Sequence, residues 1–250
     1  MHTRVVVLAA GKGTRMNSHL QKVLLPFKGK PMIQRLVDAI VASGIDPRPL
    51  IIVGQQREEV QKTLGNQCEY VVQEEQLGTG HAVRCAEKAL KGKADAIIVL
   101  YGDHPFVKAE TVKKLYDLHK KQGCPLTMMT TEVEDFKEWR APFYDFGRVI
   151  RDEKGMIRKV MERKDASPEE LEIREVNPAF LCFDAEWLWQ NLTKLRNNNA
   201  KKEYYLTDLV QIAIDEGACI ASMNIDPAES IGVNTPEHLS VAKEILSPER

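Results

Sequence analysis

The chain has 250 residues, 43% of them hydrophobic, enough to bury a substantial core as one large α/β unit. With 35 basic and 36 acidic residues the net charge is −1, so no global field favours nucleic acid or an anionic membrane, and any phosphate binding is local. The first residues pass directly into a short apolar run and no run of about 18 apolar residues occurs, so neither export nor membrane insertion is expected, and the five cysteines, Cys68, Cys85, Cys124, Cys182 and Cys219, are odd in number and form no Cys-x-x-Cys pair, which argues against zinc or a disulfide framework and for a reducing cytoplasm.

The first predicted strand, Val5-Val6-Val7-Leu8, runs directly into Leu8-Ala9-Ala10-Gly11-Lys12-Gly13-Thr14-Arg15-Met16. Two glycines let backbone N–H groups approach phosphate oxygens, while Lys12, Arg15 and, beyond the turn, Lys22 supply positive charge. The segment reads as a nucleotide triphosphate site. It is not a P-loop, and Met16 stands where a dinucleotide fingerprint needs its third glycine. Further apolar runs at 50–53, 70–72 and 96–100 predict strands buried on both faces of a largely parallel sheet. Helical patterns separate them: one opens at Pro31 and stops at Gly44, and others cover 57–64, 79–90 and 108–121. This alternation predicts a doubly wound, mostly parallel αβα sandwich, a Rossmann-like α/β fold, with its site at the carboxyl ends of the strands.

After about residue 124 the pattern changes. Strands are predicted at 125–131, 147–151, 156–161 and 175–183 without regular helices between them, with a hairpin at Asp152-Glu153-Lys154-Gly155. Helices near 184–195, 205–216 and 236–247 close the chain. One domain over 1–250 is expected, with 1–124 mainly for nucleotide, 125–235 as a smaller β-rich half, and a C-terminal helix from 236. Lys113-Lys114 and Lys120-Lys121 read as the solvated face of a helix.

The glycine-rich loop followed by Lys22 resembles the signature of sugar-1-phosphate nucleotidyltransferases. Further segments in matching order are Gln73-Glu74-Glu75-Gln76-Leu77-Gly78-Thr79-Gly80-His81-Ala82-Val83, Tyr101-Gly102-Asp103, Glu162-Arg163-Lys164-Asp165-Ala166 and Asn197-Asn198-Asn199-Ala200 running on to Glu203-Tyr204-Tyr205-Leu206-Thr207-Asp208. Together they resemble the uridyltransferase domain of the bifunctional N-acetylglucosamine-1-phosphate uridyltransferase/glucosamine-1-phosphate acetyltransferase, over nearly the whole chain. The resemblance implies Mg²⁺-dependent uridylyl transfer from UTP to a sugar 1-phosphate, foremost N-acetylglucosamine 1-phosphate, in a cytoplasmic enzyme that supplies cell-envelope precursors. No hexapeptide repeat is present, so an acetyltransferase step is not expected.

That reaction asks an anion to attack an anionic α-phosphorus, so the protein must neutralise and align charge, with no covalent nucleophile. Arg15 and Lys22 are the candidate catalytic cations. The nucleotide is expected on Leu8, Ala9, Ala10, Gly11, Lys12, Gly13, Gln73, Gln76, Gly78, Thr79, Tyr101 and Gly102. Gln73 is expected to offer one donor and one acceptor to uracil; Thr79 doubles as a helix N-cap, and His81 reads as a first-turn helix residue rather than a base. By resemblance Asp103 and Asn234 hold Mg²⁺, and Gly147, Glu162, Asn177, Tyr205 and Thr207 take the sugar. Three departures stand out. Leu20-Gln21-Lys22 replaces Leu-Pro-Lys, Asn177-Pro178-Ala179 replaces Asn-Thr-Gly, and the stretch 139–146 is longer and more aromatic. The last two fall around the acceptor, which keeps another sugar 1-phosphate, or dTTP as donor, as the alternative within the class. From another class, a regulatory domain that binds sugar nucleotides without turnover is the competing expectation.

Overall fold

A computed structural model describes residues 1–11 and 20–245. Strands β1 (Thr3–Ala9), β4 (Leu50–Val53), β5 (Glu69–Val72) and β6 (Ala96–Tyr101) lie parallel in the order β5-β4-β1-β6. Before β4 come a short ribbon of β2 (Pro26–Phe27) and β3 (Lys30–Pro31) and helix α1 (Met32–Ala42), which Gly44 ends in a left-handed turn. Helices α2 (Glu58–Leu64), α3 (Thr79–Cys85), α4 (Glu87–Leu90) and α5 (Ala109–Gln122) follow in the crossovers. Pro31 sits just before α1 rather than inside it, and the expected helix over 79–90 is broken at Ala86 into α3 and α4.

Beyond β6 the sheet turns antiparallel. Its order continues through β11 (Leu181–Asp184), β7 (Leu126–Glu132), β10 (Glu175–Asn177), β8 (Gly147–Arg151) and β9 (Ile157–Met161). Strand β12 (Ile220–Asn224) pairs parallel with β7. The expected single strand over 175–183 is divided by Pro178-Ala179, with Ala179 at φ 64°, so that β10 and β11 part to different neighbours. The helices of this half are α6 (Pro168–Leu171), α7 (Ala185–Asn191), α8 (Asp208–Asp215) and α9 (Pro236–Ile245). Among the described residues no helix is long and apolar enough to cross a membrane.

The double winding follows from strand alternation. Val5, Val7 and Ala9 point into one core, against Leu36 of α1 and Leu115 of α5. Val6 and Leu8 point into the other, against Val83 of α3, Leu188 of α7 and Leu209 of α8. Every member of this β1 core pattern is buried, so both faces of the strand are covered and only its carboxyl end is left to open outward.

The cysteine reading is corrected. Cys124 and Cys219 form a disulfide across 95 residues of chain, with 5.3 Å between their Cα atoms. They precede β7 and β12, and the parallel pairing of those strands brings the two segments together, a proximity that sequence spacing does not carry. Cysteine spacing therefore does not support a reducing compartment here.

Candidate active site

The carboxyl ends of the strands open onto a cavity of about 670 Å³. Leu8, Ala9, Ala10 and Gly11 line it from the exit of β1, Gln73 from the end of β5, Gln76, Gly78 and Thr79 from the approach to α3, and Tyr101, Asp103 and His104 from the end of β6. Lys22 and Val23 come from a 3-10 turn, Lys22–Leu24. The remaining lining includes Asp145, Phe146, Gly147, Glu162, Asn177, Pro178, Ala179, Lys201, Glu203, Thr207, Gly232 and Asn234. Of the residues expected from sequence, Gly102 is buried behind this wall and Tyr205 lies outside the lining. Lys12, Gly13 and Arg15 fall outside the described residues.

Glycines set how closely these segments meet. Gly78 has φ 105°, and a Cβ there would stand 2.6 Å from the Tyr204 carbonyl oxygen. The Tyr204 N–H donates to Leu77 O at 2.7 Å and the Gly80 N–H donates to Tyr204 O at 2.8 Å, which laces the two segments together. Thr79 does not cap α3. It is the first residue of the helix, and its Oγ1 instead accepts from the Leu206 N–H at 2.9 Å. Gln76 donates through Nε2 to Ala10 O, tying this loop to the exit of β1.

Gln73 is 3% exposed, and its amide differs from expectation. Nε2 donates to Gly78 O at 3.1 Å and lies 3.0 Å from His81 Nδ1, which accepts the second amide proton when the ring proton sits on Nε2 and so leaves the oxygen for a ligand.

At the end of β6 the Gly102 N–H donates to Leu8 O at 3.0 Å and the Val233 N–H donates to Asp103 O at 2.9 Å, which draws the 232–234 segment beside Asp103. The Lys22 ammonium pairs with Asp103 Oδ2 and donates to Asn234 Oδ1 at 2.8 Å. His104 Nδ1 lies 3.0 Å from Asp103 Oδ1. Burial alone would raise the Asp103 carboxyl, but the Lys22 and His104 charges and hydrogen bonds outweigh it and hold this acid well below the usual carboxylate range. Two side-chain oxygens thus converge on one cation, the ammonium. The donor set suits a hard metal ion, and because no cluster of three or more His, Cys, Asp or Glu occurs among the described residues, such an ion would take further ligands from water and phosphate.

Around Glu162 the field is of the other sign. Desolvation and then the neighbouring Asp208 carboxylate raise the Glu162 carboxyl, with Lys164 and Lys201 opposing, and burial raises Asp208 as well. Asn177 Oδ1 accepts from the Ala179 N–H at 2.8 Å, so its amide oxygen is already engaged in the local turn. Behind Gly147, Arg148 is fully buried, its guanidinium 4.7 Å from the Phe136 ring centroid and 5.1 Å from that of Tyr144. Nη1 donates to the carbonyls of Tyr144 and Phe146. From the aromatic stretch 139–146, Tyr144 and the Phe146 carbonyl thus meet a buried cation, with Phe136 from outside the stretch.

Val23, Ala82, His104, Lys201 and Gly232 also line the cavity without a site role assigned from sequence, as do Asp145, Phe146 and Glu203, which sequence reasoning placed only within segments near the site. Adjacency to Asp103 and to the Asn197–Ala200 segment was the available signal for His104 and Lys201. Gly232 had none, since its role is to admit His104, whose Nε2 would stand 2.9 Å from a Cβ at that position.

Two curated relatives frame the chain. It is 43% identical over 247 residues to the bifunctional protein GlmU of Clostridium novyi (strain NT), a match that covers 98% of this chain and 52% of the relative. It is 45% identical to that of Exiguobacterium sp. (strain ATCC BAA-1283 / AT1b), covering 98% and 53%. The chain thus spans about half the length of these relatives. The crystal structure of a Bacillus anthracis protein provisionally named a glucose-1-phosphate thymidylyltransferase superposes with a TM-score of 0.79 at 19% identity, covering 99% of this chain and 96% of that one, and so shares the fold. The model of the MobA-like NTP transferase domain matches residues 5–207, a span that begins within β1 and reaches the Glu162–Thr207 wall, and the chain belongs to that family.

Proposed function

We propose that this chain transfers a uridylyl group from UTP to a sugar 1-phosphate, foremost N-acetylglucosamine 1-phosphate, giving UDP-N-acetylglucosamine and pyrophosphate. The observation that carries the reading is the shared cavity, in which Gln73, Gly78 and Thr79 stand together with Glu162, Asn177 and Thr207, and with Lys22, Asp103 and Asn234. Family membership and the relatives support a nucleotidyltransferase; the base and the sugar are the proposal's own.

The sugar phosphate has a second pKa of about 6 and is mostly dianionic near neutrality. It needs no general base. One of its oxygens attacks the α-phosphorus of UTP, forming a new phosphoanhydride bond as the α–β bond breaks, and pyrophosphate leaves. Lys22 is the cation assigned to the phosphate charge in this step, with Arg15 as the second. Mg²⁺ on Asp103 and Asn234 would neutralise triphosphate oxygens, and Lys22, which both residues hold, would then be free to contact phosphate. Gly147, Glu162, Asn177 and Thr207 face the acceptor in this reading, and residues 1–250 act as one nucleotidyltransferase domain.

A second acceptor is favoured by one observation: Pro178, Ala179 and the cation Lys201 all line the cavity. The test is pyrophosphate release with Mg²⁺ and UTP or dTTP, offered N-acetylglucosamine 1-phosphate, glucose 1-phosphate and N-acetylmuramic acid 1-phosphate in turn. Preference for UTP and the first sugar is expected. Turnover with another pair moves the specificity, and folded protein silent with every pair leaves the binding-only domain.

A further inference from the structure

The orientation of the Gln73 amide is fixed by two neighbours of different kinds. The Gly78 carbonyl can only accept, so the amide atom 3.1 Å from it is the nitrogen. The second amide proton then faces His81 Nδ1 at 3.0 Å, a contact that is a hydrogen bond only if Nδ1 is unprotonated and the ring proton sits on Nε2. Both donors are thereby used. The amide oxygen takes no partner among the described residues and is not sealed from solvent, and Gln73 lines the cavity.

A lone acceptor at this point makes a chemical choice. Uracil and thymine carry a donor, N3–H, on the edge that a base presents to an amide, whereas cytosine carries a lone pair at N3 and would set acceptor against acceptor. Were the amide turned over about its last torsion, the same side chain would offer NH₂ and suit cytosine. Gly78 O opposes that turn from one side. His81 opposes it from the other, because the turned amide would bring its oxygen against the Nδ1 lone pair.

We propose that His81 is a positioning residue for base selection: its unprotonated Nδ1 holds the Gln73 amide so that only an acceptor faces the nucleotide, selecting pyrimidines that bear N3–H over cytosine. The inference rests on the reading of this cavity as a nucleoside triphosphate site. It deepens that reading by assigning the discrimination to a residue two steps removed from the base. The ring is well placed for such work, since α3 is laced to Tyr204 and Leu206 through Gly80 N and Thr79 Oγ1, which gives His81 a fixed backbone.

The test compares wild type with His81→Leu, which removes the acceptor, and His81→Asn, whose Oδ1 stands where Nδ1 stood. Dissociation constants for UTP and CTP are measured by calorimetry without acceptor, kcat/KM for each by pyrophosphate release, and Tm by thermal melting. Wild type is expected to favour UTP over CTP by about 100-fold or more, His81→Leu to lose about tenfold or more of that ratio with part of the change a gain for CTP, and His81→Asn to keep the ratio within about threefold. A merely structural role would lower both nucleotides together and leave the ratio alone. An unchanged ratio in His81→Leu, or an equal loss in His81→Asn, overturns the proposal, as does a wild type that binds UTP and CTP alike. Wild type that binds no pyrimidine nucleotide overturns the nucleotide reading itself and this inference with it.

Discussion

The two walls of the cavity are built by different means. On the side of β1, β5 and β6 the segments approach one another closely through glycines, where side chains are missing: Cβ atoms would stand 2.6 Å from Tyr204 O at Gly78, 2.9 Å from Ala10 O at Gly54, and 3.1 Å from Val23 Cγ1 at Gly102. On the side of β8 and β10 the wall is held by side chains, with Arg148 buried among Phe136, Tyr144 and two carbonyls, and with a left-handed turn carried by Ala179 rather than glycine. Backbone walls tolerate almost no substitution, whereas side-chain walls change shape by repacking. Under the proposed reaction this division would make phosphate chemistry and acceptor choice separable, with the departures at 139–146 and 178–179 on the wall that can change.

The sharpest break of that comparison is Asp103→Ala, which removes a carboxylate from the end of β6 and leaves both walls in place. Its kcat/KM is expected to fall about 10³-fold or more, with KM for the sugar phosphate little changed. Mn²⁺ binding followed by electron paramagnetic resonance should weaken in parallel. Retained metal binding would show that Asp103 serves Lys22 and His104 alone.

Gly78→Ala strikes the backbone wall. Its φ of 105° and the 2.6 Å approach to Tyr204 O leave no room for a methyl group, so a loss of about 3 kcal/mol and a fall in Tm of about 9 °C are expected. KM for UTP should rise more than KM for the sugar phosphate. An equal rise in both would mean that the two walls are not separable.

How much of this was legible follows the same division. The β-branched runs of β1, β4 and β6 announce strands buried on both faces, and the loops at their carboxyl ends are where glycine and charge concentrate. The acceptor side was harder. Residues 220–224, Ile-Ala-Ser-Met-Asn, carry little β-branched signal and become β12 because β7 offers them an edge. The 3-10 run Glu138–Asp145 carries Pro142 inside it, and its Tyr144 meets the Arg148 guanidinium only in the fold. The Cys124–Cys219 bridge and the approach of Gly232 to His104 depend on segments that meet only in three dimensions. Gln21 stands where the resembled signature has proline, yet its φ of −57° and ψ of 140° are the angles a proline would take, so the turn into Lys22 keeps the shape without the ring.

Ala179→Gly tests the side-chain wall in the favourable direction. At φ 64° an alanine carries left-handed strain of about 1 kcal/mol or more, partly offset by the extra freedom a glycine has when unfolded. Tm is expected to rise by about 2 °C, with the UTP parameters unchanged and acceptor selectivity altered. A fall in Tm would show that the alanine methyl packs usefully, since the Ala179 N–H that donates to Asn177 Oδ1 survives the change.

The smallest effect is electrostatic and depends on pH. Desolvation and then Asp208 raise the Glu162 carboxyl in the folded protein. A folded pKa above the unfolded one means that the contribution to stability is fully present below the unfolded value of about 4.3 and is lost as pH rises through the folded value. At neutral pH the charged Glu162 therefore costs stability in the free protein, a cost reduced by its contact with solvent. Glu162→Gln is expected to raise Tm by about 1 °C at a pH of about 7.5, and by less at a pH of about 4, where a larger share of the wild-type carboxyl is protonated. Melting curves at the two pH values decide this, since an equal gain at both would trace the effect to packing. The same variant should raise KM for the sugar phosphate and spare that for UTP, because a carboxylate kept charged against its own surroundings gains most when a sugar hydroxyl donates to it.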